Sequence, residues 1–242
     1  NHQLVTLTDP KGNAVVTNVY DESRRVVSSQ RDALGGETRY VYDATTRTTT
    51  ITDALGNTSF HQFDDRLRLV KETDPRGFSV LRSYDERGNV ASTTDRGGNV
   101  TTFAYDEKGN VLTKTEPLGR VTSATYDEKS NPLTKMDARG HAKVFQYDPA
   151  TSILVAAFDC GAVPVADCPT DPTVRKSTYT YDPATGQPLT VTEADGQPLL
   201  QRTTTYQYDV FGNRVAVIDA MGGTSTYTYD GVGRKLTEAH PL

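Results

Sequence analysis

The chain has 242 residues and a formal net charge of −5, which gives no electrostatic reason to bind nucleic acid or an anionic membrane. Its longest apolar run, residues 153–158, is far shorter than a transmembrane helix and predicts a buried strand. The 36 Thr, 13 Tyr and 19 Gly residues favour strands and tight turns, so we predict an all-β fold. The sequence starts at Asn1 without a Met, and we expect it to be a segment of a longer protein.

An aromatic residue followed by Asp recurs along the whole chain, mostly at a spacing of 21 residues. Such regular spacing is typical of a repeat protein, in which each unit is one supersecondary element. We therefore predict about ten units, each with this pair as its structural signature. The pairs are Tyr20-Asp21, Tyr42-Asp43, Phe63-Asp64, Tyr84-Asp85, Tyr105-Asp106, Tyr126-Asp127, Tyr147-Asp148, Tyr181-Asp182, Tyr208-Asp209 and Tyr229-Asp230.

A second turn signal, an acidic residue three positions before a Gly, lies between consecutive aromatic–Asp pairs. Asp accepts backbone N–H bonds at the start of a turn, and Gly adopts the positive φ that the turn requires. Each unit of about 21 residues therefore contains two turns. The second signal occurs at Asp9/Gly12, Asp32/Gly35, Asp53/Gly56, Asp74/Gly77, Asp95/Gly98, Glu116/Gly119, Asp137/Gly140, Glu193/Gly196 and Asp219/Gly222.

Residues 99–119 illustrate the structure that the sequence predicts for one repeat. Residues 100–105 alternate between two faces, and a period of two indicates a strand. A short polar loop begins at Asp106, and residues 111–115 form the return strand. The chain is therefore predicted to be a meander of tandem antiparallel β-hairpins.

The residue two positions before the repeat Tyr is often aromatic as well. Both rings lie on the same face of their strand, so we expect an aromatic band across the sheet that stabilises neighbouring hairpins. Such a band also offers a stacking surface for sugars, but packing between strands explains the same residues, and we favour that interpretation. The additional aromatic residues are Tyr40, Phe103, Phe145, Tyr179, Tyr206 and Tyr227.

Residues 149–200 depart from the regular spacing, and we interpret them as irregular repeats with an inserted loop at 159–173. The loop contains Cys160 and Cys168, which form either a disulfide or two reduced thiols. We favour the disulfide in a secreted protein, where it stabilises a loop by roughly 2–3 kcal/mol. A zinc site needs about four ligands, and no His or further Cys lies nearby.

No motif in the sequence points to catalysis. There is no G-x-S-x-G, no phosphate-binding loop and no H-E-x-x-H, and the turn Asp residues fit neither a calcium-binding β-roll repeat nor an EF-hand. Turn capping explains these carboxylates. We therefore predict that the chain is not an enzyme and has no catalytic, cofactor-binding or metal-binding residue.

The units resemble the YD repeats of the Rhs family, whose pattern runs G-x-x-x-x-Y-x-Y-D-x-x-G-N-x-x-x-x-x-T-D. Residues 98–116 fit this pattern almost wholly, and the resemblance covers essentially all of 1–242 as a single array. The family includes bacterial Rhs effectors, the B and C components of Tc toxins, wall-associated bacterial proteins and animal teneurins. The departures from the pattern are Phe63 for Tyr, Glu116 and Glu193 for Asp, and Ser130 for Gly.

The resemblance implies a curved or spiralling strip of β-sheet that belongs to a hollow shell. In toxin members of the family the shell encloses a C-terminal toxin domain, so we expect this chain to form part of the wall of a shell around an effector. The expected partners are neighbouring repeats of the parent chain, an enclosed toxin domain or further copies of the chain, without nucleic acid or membrane insertion. The alternative is an extracellular adhesion or carbohydrate-binding array, with or without assembly into filaments. The parent is expected to be secreted or displayed on a cell surface, in a bacterium.

Overall fold

The computed structural model describes residues 3–23, 26–195 and 199–241. Within them the chain forms β-strands joined by turns, so the predicted all-β fold is confirmed. Gly196, which belongs to a predicted turn and to the irregular zone, lies outside the described residues.

The chain divides into two compact units. The first unit comprises residues 1–104 and 115–119. Each of its strands from β1 to β10 pairs antiparallel with the next. A short 3-10 turn, Pro117–Gly119, also belongs to this unit. The strands are β1 (Thr6–Thr8), β2 (Ala14–Tyr20), β3 (Val27–Asp32), β4 (Glu37–Asp43), β5 (Thr48–Thr52), β6 (Thr58–Phe63), β7 (Leu69–Thr73), β8 (Ser79–Tyr84), β9 (Val90–Thr94) and β10 (Val100–Tyr105), whose last residue falls in the second unit.

The second unit comprises residues 105–114 and 120–242. Here β12 to β21 again pair consecutively and antiparallel, so the predicted tandem hairpins are confirmed. The strands are β11 (Val111–Thr115), which ends one residue beyond the unit, β12 (Val121–Tyr126), β13 (Pro132–Met136), β14 (Ala142–Tyr147), β15 (Leu154–Gly161), β16 (Arg175–Tyr181), β17 (Pro188–Asp195), β18 (Arg202–Tyr208), β19 (Arg214–Ile218), β20 (Thr224–Tyr229) and β21 (Lys235–Ala239).

The hairpin of β8 and β9 shows why the sequence folds in this way. The backbone N–H of Asp85 donates to the carbonyl of Asn89 at 2.9 Å, and the N–H of Gly88 donates to the carbonyl of Asp85 at 3.1 Å. Gly88 has a φ of 95°, which residues with a side chain rarely adopt. The connection is therefore a three-residue hairpin loop that ends in a left-handed residue.

A register shift directly precedes the repeat aromatic residue in most hairpins. Ser83 pairs with Ser92 but Tyr84 pairs with Val90, so Ala91 bulges from the ladder. The bulge ends the regular ladder at the position where the aromatic–Asp pair leads into the turn. The same shift precedes Tyr20, Phe63, Tyr126, Tyr147, Tyr181, Tyr208 and Tyr229.

The apolar core lies in the second unit, where the segment 162–174 covers one face of β14 and β15. In the first unit, the buried side chains among the described residues are the polar Asn18 and Thr49. The stability of that unit therefore depends on cross-strand pairs and on hydrogen bonds in the turns. The core of the second unit consists of Ala142, Val144, Ala156, Phe158, Cys160, Cys168 and Val174, with Val163 and Val165 packed against it.

The structure corrects the predicted start of the inserted loop, 159–173. Strand β15 continues to Gly161, because Asp159 pairs with Lys143 on one side and with Arg175 on the other. The loop therefore begins after Gly161 and ends before Arg175.

The prediction that Glu193 starts a turn is wrong. Glu193 lies inside β17, opposite Arg202 of β18, and the pairing of β17 with β16 extends past it to Asp195. The left-handed residue comes directly afterwards, at Ala194, whose φ is 52°.

Candidate functional site: the repeat turns and the disulfide-closed loop

The ten aromatic–Asp pairs lie where a strand ends and a turn begins. The aromatic residue ends its strand in each repeat except the second, where β4 extends to Asp43. The structure thus brings the predicted signature residues to corresponding ends of their hairpins, and it does not gather all ten pairs into one pocket. Any function of these residues is therefore distributed along the array.

Asp85 shows how the carboxylate organises its turn. Its Oδ1 atom accepts hydrogen bonds from the backbone N–H groups of Arg87, at 3.0 Å, and Asn89, at 2.8 Å. Its Oδ2 atom accepts the side-chain amide of Asn89 at 2.9 Å, which explains the Asn after the turn Gly. The same three bonds occur at Asp9, Asp53, Asp95, Asp106, Asp127 and Asp209.

These hydrogen bonds hold the pKa of the turn carboxylates below its usual value. For Asp85 the largest cause is the side-chain hydrogen bond from Asn89, and Asp106 follows the same pattern. For Asp64 the largest cause is the backbone N–H of Arg68. A general acid or base works best with a pKa near the working pH. The turn carboxylates are therefore suited to holding the turn rather than to proton transfer.

Some turns are one residue longer, which the spacing analysis missed. The N–H of Asp148 donates to the carbonyl of Ile153 at 2.9 Å, five positions onward. The backbone N–H and the hydroxyl of Thr151 both donate to Asp148 at 2.8 Å. The left-handed residue moves one position on, to Ser152, with a φ of 60°. A Thr three positions after the repeat Asp was the available sequence signal, and Asp182 shares it.

The hydroxyl group of the repeat Tyr connects seven of the ten aromatic–Asp positions to the chain segment before them. Tyr42 donates to the carbonyl of Val27, the first residue of β3, at 2.9 Å. The sequence analysis gave the Tyr a packing role and missed this hydrogen bond. Equivalent bonds join Tyr20 to Leu4, Tyr84 to Leu69, Tyr126 to Val111, Tyr147 to Pro132, Tyr208 to Pro188 and Tyr229 to Arg214.

Cationic side chains at the turn tips form a second connection between hairpins. Arg66 donates to the carbonyl of Glu86, in the next turn of the same kind, at 3.0 Å. Lys129 donates to the carbonyl of Pro149 at 3.3 Å, and Lys108 makes the equivalent contact with its following turn. The recurrence of a cation every 21 residues was visible in the sequence but was not recognised as a link.

Cations also separate the rings of the expected aromatic band. The guanidinium of Arg214, on β19, lies 5.9 Å from the ring centre of Tyr206 and 5.5 Å from that of Tyr227. Lys235 lies 5.7 Å from the Tyr227 ring. The rings occupy alternate strands, and the return strand between them supplies a cation. The band in this region is therefore stabilised by cation–π contacts as well as by ring packing.

Two repeats of the first unit carry His61 and Arg82 where others carry the additional ring. His61 Nε2 lies 4.0 Å from Glu72 Oε1, and Arg82 Nη2 lies 3.6 Å from Glu72 Oε2. Glu72 pairs with His61 across β6 and β7 and with Val80 of β8. In this cluster an ion pair between Arg82 and Glu72 and a polar contact between His61 and Glu72 take the place of ring contacts on the same face.

The inserted loop is closed by a disulfide between Cys160 and Cys168. Cys168 is fully buried and Cys160 is 3% exposed, so the bridge belongs to the core. Within the loop, the N–H of Cys168 donates to the carbonyl of Pro164 and that of Asp171 to the carbonyl of Asp167, both at 3.0 Å. The segment is therefore an ordered cover over β14 and β15.

A cleft of about 460 Å³ lies in the second unit. Its lining includes the rings of Phe145 and Tyr179 and the charged side chains of Lys143, Asp159 and Arg175. The three charged residues are cross-strand neighbours. The cleft thus combines ring faces with charges of both signs.

Residues 3–23, 26–195 and 199–241 contain no group of three or more His, Cys, Asp or Glu side chains placed to hold a metal ion. The same residues include no helix with the length and apolar character needed to cross a membrane.

Residues 63–100, 84–121 and 105–140 match the family model of the RHS repeat. This stretch of the chain, residues 63–140, contains RHS repeats. The matches cover the most regular part of the array, in which the aromatic–Asp pairs are spaced by 21 residues. No curated protein matches the chain.

The chain is also similar in fold, over nearly its whole length, to solved toxin structures. The crystal structure of TcdB2-TccC3 is 17% identical with a TM-score of 0.63, covering 97% of this chain and 15% of that chain. TcdB2-TccC3 without its hypervariable C-terminal region is 15% identical with a TM-score of 0.61, covering 98% and 16%. A Tc holotoxin pore from Photorhabdus luminescens with a substitution in TccC3 is 15% identical with a TM-score of 0.63, covering 98% and 16%. At these identities the similarity shows the fold, and this chain spans about one sixth of those chains.

Proposed function

We propose that the chain is one continuous array of RHS repeats whose role is structural, as wall of a shell around an effector carried by the parent protein. The proposal assigns no catalytic residue, metal or cofactor to the chain. The fold similarity to TcdB2-TccC3 over 98% of the chain supports it. One of the similar structures is TcdB2-TccC3 without a hypervariable C-terminal region, which suggests where a variable effector would be attached.

The observation that carries the proposal is the hydrogen bond from the repeat Tyr to the preceding hairpin. A wall that excludes solvent needs neighbouring hairpins that stay in register at both ends. The strand ladder holds the middle of each hairpin, the bond from Tyr42 to Val27 extends it beyond the bulge, and Arg66 fixes successive turn tips. Sequestration by such a wall requires no chemistry, only continuity of the hydrogen-bonded sheet.

A secreted or surface-displayed parent fits the disulfide. Structural disulfides persist in oxidising environments and are rare in the cytosol. The bridge between Cys160 and Cys168 is buried in the core, which suits a permanent structural role.

Electron cryomicroscopy of the intact parent protein tests the proposal. We expect a closed shell with internal density, in which these residues form part of the wall. Protease treatment of the native parent should leave the enclosed domain intact, whereas the same domain expressed alone should be degraded. Rods or fibres without an enclosed volume would contradict encapsulation.

A second candidate, an extracellular array that binds carbohydrate, is favoured by the cleft between Phe145 and Tyr179. Aromatic faces with nearby polar groups are suited to stacking on sugar rings. Glycan-array binding by the chain, lost in Phe145→Ala and retained in Tyr227→Ala, would support this candidate. Tyr227 provides an equivalent ring outside the residues that line the cleft.

A further inference from the structure

A second cleft, of about 560 Å³, lies in the first unit beside the turns that follow Tyr42 and Phe63. Its lining is mainly apolar and includes these two rings together with Ala44 and Leu67. Arg47 is the cation that lines it. The volume falls within the roughly 300–1,000 Å³ of small-molecule sites, which are mostly apolar with a few polar groups.

The first departure from the repeat pattern at this cleft is Phe63. In the next hairpin, Tyr84 places its hydroxyl on the carbonyl of Leu69, fifteen residues earlier. The residue fifteen positions before Phe63 is Thr48, which also lines the cleft. Phe63 therefore leaves an apolar ring edge where a Tyr would direct a hydroxyl group toward Thr48.

The second departure is Leu67, which occupies the left-handed position that Gly fills in most of these turns. Its φ is 61°, a conformation that disfavours a branched side chain, and the residue is 76% exposed. An exposed Leu at a strained position contributes little to a core. Backbone strain of this kind tends to persist where a side chain has a function. Here the Leu67 side chain extends the apolar wall of the cleft.

The third feature is the free charge of Arg47. Among the described residues, its exposed guanidinium has no hydrogen-bond or ion-pair partner. The neighbouring carboxylate of Asp43 is already engaged, since it accepts the N–H of Thr45 and the hydroxyl of Thr46, both at 2.8 Å. The cleft therefore offers a guanidinium without a direct partner next to apolar walls, while the Asp43 carboxylate, which also lines the cleft, has both oxygens occupied by hydrogen bonds.

We infer that this cleft binds an amphipathic organic anion, with its apolar or aromatic body between Tyr42 and Phe63 and its carboxylate on Arg47. The apolar walls select the body, and a guanidinium binds carboxylates in a bidentate manner. The inference does not depend on the shell proposal, because it is argued only from residues that line this cleft in the first unit. It also explains why Phe63 and Leu67 depart from the pattern within a single turn of the chain.

Binding is tested on the full chain with two probes, anilinonaphthalene sulfonate by fluorescence and decanoate by competition. Amide NMR shifts are expected at residues 43–49 and 63–67. Arg47→Gln should weaken binding of decanoate about tenfold and leave the weaker binding of decanol unchanged, because only the charged contact is lost. Phe63→Tyr should weaken binding of both ligands, since a hydroxyl group enters the apolar wall.

A matched pair of variants separates binding from stability. Leu67→Gly and Leu118→Gly each remove an exposed Leu at positive φ, 61° and 69°, but Leu118 does not line the cleft. Both substitutions should raise Tm, because Gly adopts the left-handed backbone conformation without the strain that a Leu side chain causes. Only Leu67→Gly should weaken binding, by about fivefold through the lost apolar contact. The inference would be overturned if Leu67→Gly and Leu118→Gly bound the probes with equal affinity. It would also be overturned if Arg47→Gln and Phe63→Tyr left probe binding unchanged.

Discussion

The hydroxyl group of Tyr84 donates a hydrogen bond of 2.9 Å to the carbonyl oxygen of Leu69, the first residue of strand β7. This bond lies beyond the pair of Lys71 and Leu81 in the ladder of β7 and β8, and it joins one hairpin to the hairpin before it. The guanidinium of Arg68, in the preceding turn, lies 4.6 Å from the centre of the same ring. The repeat Tyr therefore connects neighbouring hairpins through both its hydroxyl group and the face of its ring.

We predict that Tyr84→Phe lowers the free energy of unfolding by about 1 kcal/mol, because it removes one intramolecular hydrogen bond and keeps the ring. Tyr206→Phe is the control, since the Tyr206 hydroxyl has no hydrogen-bond partner among the described residues and its ring contact with Arg214 remains. Urea denaturation measures both variants. Equal stability of the two would show that the hydroxyl bond does not hold the hairpins together.

We predict that Asp85→Ala lowers Tm by a few degrees, because the turn loses the hydrogen bonds from the N–H groups of Arg87 and Asn89 and from the Asn89 amide. Asp65→Ala is a matched control in the preceding turn of the same kind. Among the described residues, the Asp65 carboxylate accepts no hydrogen bond. Calorimetry should therefore show a clear decrease for the first variant and almost none for the second, and the reverse order would contradict the turn mechanism.

We predict that the chain loses stability in acid through its turn carboxylates. Hydrogen bonds lower the pKa of Asp53, Asp85, Asp106 and Asp127 in the folded state below the ordinary value of 3.8. Because the folded pKa is depressed, the stabilisation is complete above the unfolded pKa and is lost as the pH falls through the folded pKa. Tm should therefore be constant near neutral pH and decrease as the pH falls below about 4.

A variant identifies the source of this pH dependence. Asp85→Asn cannot be protonated, so its Tm should decrease less than that of the wild type between about pH 5 and pH 2. NMR titration of the wild type should place the pKa of Asp85 below its ordinary value. If the Tm of the wild type were the same at about pH 5 and about pH 2, the turn carboxylates would not contribute to its pH dependence.

The hairpins were predictable because their determinants are local. Alternation along residues 79–84 sets a strand, and Asp85, Gly88 and Asn89 set the turn that reverses it. The longer turn at Asp148 was not recognised, although Thr151 marked it, because spacing alone does not reveal which atoms cap the carboxylate.

The features of the clefts were not predictable from the sequence, because they depend on residues brought together by the fold. Arg47, Phe63 and Leu67 come from different strands and turns, and only the structure shows that they line one volume. The departure of Phe63 from the pattern was visible, but its consequence depends on where Thr48 lies. Similarly, the pattern of Cys160 and Cys168 left a disulfide and free thiols as alternatives, and it did not place the pair in the core.

We predict that removing the disulfide opens the cover over β14 and β15. The double variant Cys160→Ala, Cys168→Ala should lose roughly 2–3 kcal/mol through the freed loop of the unfolded chain. Ala avoids the cost of placing a polar group at Cys168, which is fully buried. Because segment 162–174 has no Lys or Arg, thermolysin rather than trypsin should detect the opening as new cleavage within it.

Reduction provides the control for this prediction. Dithiothreitol should sensitise the wild type to thermolysin within 162–174 and should have no further effect on the double variant. The adjacent hairpins from β18 to β21, which do not contact the bridge through their pairing, should keep their protease resistance. If the loop resists cleavage equally in the oxidised, reduced and Ala forms, the packing of Val163 and Val165 rather than the bridge holds the cover in place.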